Sequence, residues 1–243
     1  MCSVVNFFSG VSEFRTVSNS GLTYRRDPDA FVTFLIGKES DPPKKFLVHK
    51  EFACDASPVF DAAFNSNFIE GQTQTYKLDD TTPRAFQLLT QWMYFQKLTI
   101  SQLEDDTKHD ESDDLSDDEL DARNGEDMAL VELWVLADKL RMPRLQNVVI
   151  NTIDAIEIKT NAKNIGCYHY IYENTAPGSK LRQYAAEVSA YGIRSSTFKD
   201  HSEDFPHKML TDMMIHISKQ FHLRPCSNDL TSYHVSLDDK SKK

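Results

Sequence analysis

Short apolar runs separated by turn residues open the patterned part of the chain. Residues 31–36, FVTFLI, are β-branched, aromatic and aliphatic, and they predict a buried strand that ends at a glycine. The following GKESDPP contains two prolines, which cannot donate to a β-ladder and therefore indicate a turn. Apolar positions return in residues 44–48, KKFLV, so the two runs predict a β-hairpin. A third short strand is predicted at Thr75–Leu78.

Helical spacing replaces the strand pattern after the hairpin. One helix is predicted to begin near His49. The pair Ser57–Pro58 is a typical N-cap and first helical position, so it predicts a second helix. A turn is predicted at Gly71. The pair Thr82–Pro83 repeats the cap signal before a helix that extends to about Tyr94.

The later part of the chain is predicted to be helical. With only three short strands, the whole pattern predicts an α+β fold that is mostly α. The helices are predicted from Met128 to about Leu140, over RLQNVVINTIDAIE after Pro143, over a segment ending near Glu173, from Ser179 to Tyr191 and from Pro206 to His222.

The charge of the chain is concentrated in one segment. Residues 104–127 hold thirteen acidic and two basic residues, a charge of −11, whereas the net charge of all 243 residues is −10. Like charges repel and this segment offers little to bury, so we predict a disordered acidic insertion over 101–127, within one domain. The rest of the chain is almost neutral, and it has no basic field that would favour direct binding of nucleic acid.

The acidic insertion has three interpretations. It is a solvated loop, which costs only about 0.6 kcal/mol per doubling of loop length. Alternatively, it recruits a basic partner by electrostatic attraction. A third interpretation is regulatory: Ser116, with Glu119 three residues later, matches the pattern of an acidophilic-kinase site, and phosphate there would deepen the charge.

No metal, cofactor or disulfide is predicted. The four cysteines are scattered and form no C-x-x-C pair, which favours free thiols. His216, His222 and Cys226 come closest to a zinc site, but six residues between histidines is not the i, i+4 spacing of helical ligands. The cysteines are Cys2, Cys54, Cys167 and Cys226.

Membrane insertion and secretion are not indicated. No apolar run approaches the roughly 18 residues of a membrane span. No basic residue precedes the first apolar patch, as it would in a secretory signal. We therefore expect an intracellular protein, in the nucleus or the cytoplasm.

His49 and Cys54 are the candidates for nucleophilic chemistry. They would act as base and nucleophile only if they approached within about 3 Å. Five helical residues turn by about 500°, so their side chains should diverge by about 140°. A buried cysteine is commonly a small packing residue. We predict a structural role for both and no enzymatic activity, while a cysteine-dependent enzyme remains the alternative that thiol reactivity would test.

The order of elements and more than twenty positions resemble the BTB/POZ family over residues 30–155, apart from the insertion. In addition, YENTAPGSKLR at 172–182 looks like the C-terminal extension of BTB proteins common in fungi. The matching positions are Val32, Thr33, Phe46, Val48 to Lys50, Ser57 to Phe60, Phe64, Phe68, Glu70, Leu78, Pro83, Ala85, Phe86, Met93, Tyr94, Leu136 to Lys139, Met142, Pro143 and Leu145 to Asn147.

This resemblance implies a small sheet capped by helices and a non-enzymatic module for binding proteins, often as a homodimer or heterodimer. It also raises an alternative, a substrate adaptor of a cullin-type ubiquitin ligase. The implied organisation is an N-terminal arm (1–27), a BTB/POZ domain (28–158), a helical extension (159–223) and a disordered tail (224–243).

Several site residues follow from the resemblance. Phe31, Lys50 and Phe52 are expected at a dimer or partner interface, although many members carry aspartate where this chain has Phe31. Without that acid, Lys50 is expected to be solvated. Phe86 is a candidate cullin contact, although a core role is favoured, and Leu88 replaces the glutamate that adaptor members carry.

Overall fold

A computed structural model describes residues 29–37, 42–104 and 116–220. The arm and the tail that the sequence predicts lie outside the described residues. The strands are β1 (Phe31–Ile36), β2 (Lys44–His49) and β3 (Thr75–Leu78). The α-helices are α1 (Lys50–Ala56), α2 (Pro58–Phe64), α3 (Ile69–Thr73), α4 (Pro83–Phe95), α5 (Ser101–Glu104), α6 (Asp117–Lys139), α7 (Pro143–Thr160), α8 (Tyr168–Asn174), α9 (Lys180–Gly192), α10 (Ser195–Asp200) and α11 (His207–Gln220).

The three strands form one sheet in the order β2-β1-β3. β1 pairs with β2 in the antiparallel sense, with Phe31 opposite His49, and with β3 in the parallel sense. Alternate residues of β1 are buried, namely Val32, Phe34 and Ile36. This alternation is that of a sheet with one face on the core, and it confirms the predicted hairpin and third strand.

An aromatic cluster joins the inner face of the sheet to the helices. The ring of Phe34 lies 4.9 Å from the rings of Phe60 and Phe86 and 5.6 Å from that of Phe64. These four side chains are at most 1% exposed. Inclined aromatic pairs at such distances stabilise a core beyond their buried area, by about 0.5–1.5 kcal/mol each.

Ser57 connects two helices that are distant in sequence. Its hydroxyl accepts hydrogen bonds from the N–H groups of Val59 and Phe60, which confirms the predicted cap of α2. The same hydroxyl donates to the carbonyl oxygen of Leu140, at the end of α6, over 2.8 Å. The side chain is fully buried, so water does not substitute for these bonds.

The turn predicted at Gly71 is instead the middle of helix α3. A β-carbon at this position would lie 1.9 Å from the carbonyl oxygen of Ser66. The glycine is therefore required by the close approach of two backbone segments, and not by a turn.

The disorder predicted for 101–127 is wrong at both ends. Residues 101–104 form α5, and α6 begins at Asp117, eleven residues before the predicted start at Met128. The buried carboxylate of Glu126 accepts the N–H groups of Ser101 and Gln102, each over 3.0 Å, and so caps α5. Residues 105–115 lie outside the described residues.

Local chemistry explains why the acidic run enters a helix. Ser116 caps α6, and the carboxylate of Glu119 accepts the backbone N–H of Ser116 over 3.0 Å. Asp117, Asp118 and Glu119 occupy the first turn, where the helix dipole favours negative charge. Repulsion between the like charges opposes helix formation, and the packing of the buried apolar residues further along α6 outweighs it.

The helices after α7 pack into the same core. Cys167, Tyr168 and Ile171 are buried with residues of α6 and α7. Arg182 is 6% exposed and donates to the carbonyl oxygen of Tyr172 over 2.6 Å, so its buried charge is compensated. Within the described residues, no helix combines the length and apolar character needed to cross a membrane.

We predict that Ser57→Ala lowers the free energy of unfolding by about 2–4 kcal/mol, because it removes a helix cap and leaves the Leu140 carbonyl without its donor. Urea denaturation followed by circular dichroism measures this loss. The matched control is Ser179→Ala, which removes the cap of α9 and should cost about 1 kcal/mol. Equal losses in the two variants would show that the bond to Leu140 contributes nothing.

Candidate interaction surface

Five side chains form what we call the aromatic surface. Phe31 begins β1, His49 ends β2 opposite it, Phe52 lies in the first turn of α1, and Tyr94 and Phe95 end α4. Phe31 is 47% exposed, Phe52 38% and Phe95 70%. Three large apolar rings are thus open to solvent at one junction of sheet and helices.

The rings of this surface touch one another in sequence. Phe31 and His49 have ring centroids 4.2 Å apart, and His49 and Phe52 are 5.8 Å apart. Phe52 lies 4.7 Å from Tyr94, which lies 6.3 Å from Phe95. The surface is therefore continuous, unlike scattered exposed side chains, which carry no functional meaning.

A hydrogen-bonded pair holds the centre of the aromatic surface. The hydroxyl of Tyr94 accepts the backbone N–H of His49 over 3.1 Å and bonds Nδ1 of the same residue over 2.8 Å. These two bonds tie the end of β2 to the end of α4. The neighbouring rings of Phe31 and Phe52 pack against a fixed imidazole, so little of their order has to be created on binding.

The aromatic surface borders the edge of the sheet. β2 pairs only with β1 among the described strands, so its outer backbone edge has no strand partner there. Leu47 of β2 is 59% exposed and lies on the same face as His49. Lys44 and Lys45 begin the same strand, and charged residues of this kind discourage uncontrolled pairing of sheet edges.

The sequence led us to expect a solvated Lys50, and the structure differs from this expectation. Lys50 is half-buried, and its Nζ donates to the carbonyl oxygen of Phe64 over 3.0 Å, at the end of α2. The cation thus lies at the negative end of a helix dipole. This contact gives Lys50 a partner within the chain in place of the aspartate that Phe31 replaces.

Phe86, the candidate cullin contact, lies in the core, the role that the sequence favoured. Its side chain is 0% exposed, and its ring lies 4.9 Å from the rings of Phe34 and Phe46. A cullin contact through Phe86 stays a prediction. Leu88, two residues later, is half-buried.

Ser116 is exposed, as the kinase hypothesis needs, but its hydroxyl is engaged. It donates to the carboxylate of Glu119 over 2.8 Å and accepts the Glu119 backbone N–H over 3.4 Å. A kinase would have to displace this capping pair before transfer. Phosphorylation of Ser116 stays a prediction.

His49 and Cys54 each have their own partner. Nδ1 of His49 bonds Tyr94, whereas Sγ of Cys54 accepts a weak bond from the side chain of Asn65 at 3.9 Å. Burial, helped by the carboxylate of Asp61, raises the pKa of Cys54 to about 11, so the thiol is neutral at physiological pH. The arrangement favours packing over nucleophilic catalysis.

Possible metal ligands do not gather in the described part of the chain. No group of three histidine, cysteine or acidic side chains there has a geometry that could hold an ion. Of the weak zinc pattern, only His216 is described, since His222 and Cys226 lie outside the described residues.

Two features of the site carry no clear sequence signal. The bond between His49 and Tyr94 joins residues 45 positions apart, and spacing alone does not reveal it. Phe95 ends an amphipathic helix in which Phe86, Leu89, Trp92 and Met93 are buried, and its place at the end of the apolar stripe does not predict exposure. Phe31 and Phe52, by contrast, are exposed where the family resemblance expected them.

We predict that Cys54 reacts with iodoacetamide about a hundredfold more slowly at pH 8 than an exposed thiol, because the raised pKa reduces its thiolate fraction. The rate should rise tenfold per pH unit until the pH approaches about 11. Peptide mapping by mass spectrometry measures it, with the urea-unfolded chain as control. Rapid labelling below pH 8 in the native chain would instead favour the nucleophile hypothesis.

Comparison with known proteins identifies the family. No curated protein matches the chain. The family model of the BTB/POZ domain matches residues 29–157, which is more than half of the chain and spans β1 to most of α7. The mostly helical fold with its small three-stranded sheet agrees with this match. The chain therefore belongs to the BTB/POZ family, whose domain is a module for protein–protein interaction.

Proposed function

We propose that this chain is a non-enzymatic adaptor that dimerises through its aromatic surface and recruits partner proteins. The observation that supports this is the continuous exposure of Phe31, Phe52 and Phe95 around a fixed His49–Tyr94 pair. Proteins rarely leave such apolar patches open unless something covers them.

A second copy of the chain is the simplest cover. In a two-fold dimer the same patch of each subunit forms both halves of the interface, so no second binding surface is required on the chain. Aromatic anchors dominate the free energy of many interfaces when a surrounding rim excludes water. Leu47 and the half-buried Lys50 flank the rings and would lie towards that rim.

The same surface equally accepts a related BTB/POZ chain, which gives a heterodimer. A standard interface buries about 800 Å² per partner, more than the exposed parts of three rings supply. We propose that the edge strand β2 and the outer face of the sheet supply the remaining area. Homodimer and heterodimer thus use one surface, and concentration and partner supply decide between them.

The alternative is a substrate adaptor of a cullin-type ubiquitin ligase. Its support is the docking of α8 and α9 on α6 and α7, with α11 packed on α9, which adds a helical layer to the domain. Two observations oppose it: Phe86 is buried, and Leu88 stands where adaptor members carry glutamate.

The cullin alternative predicts that a cullin N-terminal domain is retained by the immobilised full chain in a pull-down. Absence of retention by the wild-type chain removes this alternative and leaves the dimer proposal untouched.

For the dimer, we predict that Phe31→Asp and Phe52→Asp each convert the chain from dimer to monomer at micromolar concentration. A charge placed in an apolar interface must be desolvated without a partner. Size-exclusion chromatography with light scattering gives the mass. The matched control is Ile158→Asp, because Ile158 is 74% exposed on α7 and outside the aromatic surface.

A monomeric wild-type chain would rule out the homodimer. The heterodimer then remains and has its own measurement, a pull-down from cells with wild type and Phe52→Asp in parallel. Recovery of the same partners by both would rule out the aromatic surface as the heterodimer interface.

A further inference from the structure

A cavity of about 300 Å³ lies between the BTB/POZ domain and the helices that follow it. One wall comes from α6 and the end of α7, and the other from α8 and α9. Part of the lining is aliphatic, with Val131, Ile156, Ile171, Leu181, Ala185 and Val188. Five of these six side chains are at most 5% exposed, so they give the cavity an apolar wall.

The lining also contains polar side chains, and several of them are already paired. Asp127 accepts hydrogen bonds from Gln102 and Asn164, one on each carboxylate oxygen. The carboxylate of Glu157 pairs with Lys163 and accepts the hydroxyl of Tyr184. Their bonding capacity is largely used within the protein.

Arg123 differs from these residues. Arg123 is half-buried and lines this cavity and a smaller neighbouring pocket, and among the described residues its guanidinium has no side-chain hydrogen-bond partner. Asp127 lies near enough to interact electrostatically with Arg123, but both of its carboxylate oxygens accept hydrogen bonds from other residues. A planar donor group with this freedom suits a carboxylate, which it binds in a bidentate manner.

We propose that this cavity binds a small amphiphile, a medium-chain carboxylic acid, with its aliphatic chain between α7 and α9 and its carboxylate on Arg123. An apolar cavity with a few polar groups at one end is the usual form of a small-molecule site, and its volume lies at the low end of the common range of roughly 300–1,000 Å³. That volume fits one short chain and not the two acyl chains of a phospholipid.

Binding at this position has a structural consequence. Val131 and Ile156 lie inside the segment that matches the BTB/POZ family, whereas Leu181, Ala185 and Val188 lie beyond it. The ligand would therefore contact both walls and stabilise the docking of α8 and α9 on α6 and α7. Ligand that binds only the docked arrangement increases its stability by mass action.

Decanoate is the probe for the test, used with the full chain below its micelle-forming concentration. Native mass spectrometry should show one decanoate per chain, and the melting temperature should rise with decanoate concentration. Decanol and decylamine, which keep the chain length but carry no charge or a positive one, should bind at least tenfold more weakly. Hydrogen exchange should slow in residues 163–188.

Two variants locate the site. Arg123→Gln should weaken decanoate binding about tenfold and leave decanol binding unchanged, whereas Arg144→Gln, the same charge change at an exposed position outside the cavity, should change neither. Val188→Phe fills the cavity from its half-buried rim and should abolish decanoate binding, with circular dichroism to verify the fold. If that variant unfolds, Ala185→Leu provides the same measurement.

Three results would overturn the proposal. Wild-type chain that binds no decanoate removes the ligand class, and undiminished binding by the folded Val188→Phe or Ala185→Leu variant removes the cavity as the site. Equal affinity for decanoate and decylamine, unchanged by Arg123→Gln, removes the carboxylate contact. None of these outcomes depends on dimerisation, because Phe31 and Phe52 do not line the cavity.

Discussion

The buried hydroxyl of Ser57 fixes the relation between the first and second halves of the domain. It accepts backbone N–H groups at the start of α2 and donates to a backbone carbonyl oxygen at the end of α6, 83 residues away in sequence. A buried polar group must find its partners inside the protein, so α2 has one allowed position against α6. Phe60 and Phe64 of α2 then lie where they enclose Phe34, and the sheet is positioned against the helices.

The register of β1 carries this constraint from the core to the surface. Phe34 and Phe31 lie on opposite faces because side chains alternate along a strand. A shift of one residue would expose Phe34 and bury Phe31, which the packed aromatic core does not permit. The exposed aromatic surface is thus held in place by the same contacts that stabilise the interior, and it is preorganised for binding rather than formed by it.

Sequence reasoning succeeded where structure is local. The hairpin, the third strand and the caps at Ser57 and Thr82 depend on neighbouring residues, and each was predicted within a residue or two. It failed at the acidic start of α6, where composition favoured disorder although Ser116 and Glu119 form a local capping box. It also missed α5, whose first N–H groups are accepted by Glu126, 24 and 25 residues away.

The candidate site shows the same division. The helical periodicity placed Phe86 on an apolar stripe, which is compatible both with burial and with a partner contact. The packing of Phe34 and Phe46 against its ring shows that it is a core residue. The exposure of Phe31 followed from the family pattern. Its contact with a histidine held by Tyr94 did not, because that arrangement needs the end of α4 beside the end of β2.

Helix α4 also explains how an acidic chain can present an apolar interface. Near its start, Arg84 donates to the carbonyl oxygen of Ala122, so the acidic beginning of α6 lies at this end. Tyr94 and Phe95 lie at the other end, about ten residues and roughly 15 Å further along the helix axis. Charges are screened over about 8 Å at physiological ionic strength. The negative charge at the start of α6 therefore acts weakly at the aromatic surface, which is compatible with the proposal that two copies of this chain meet there.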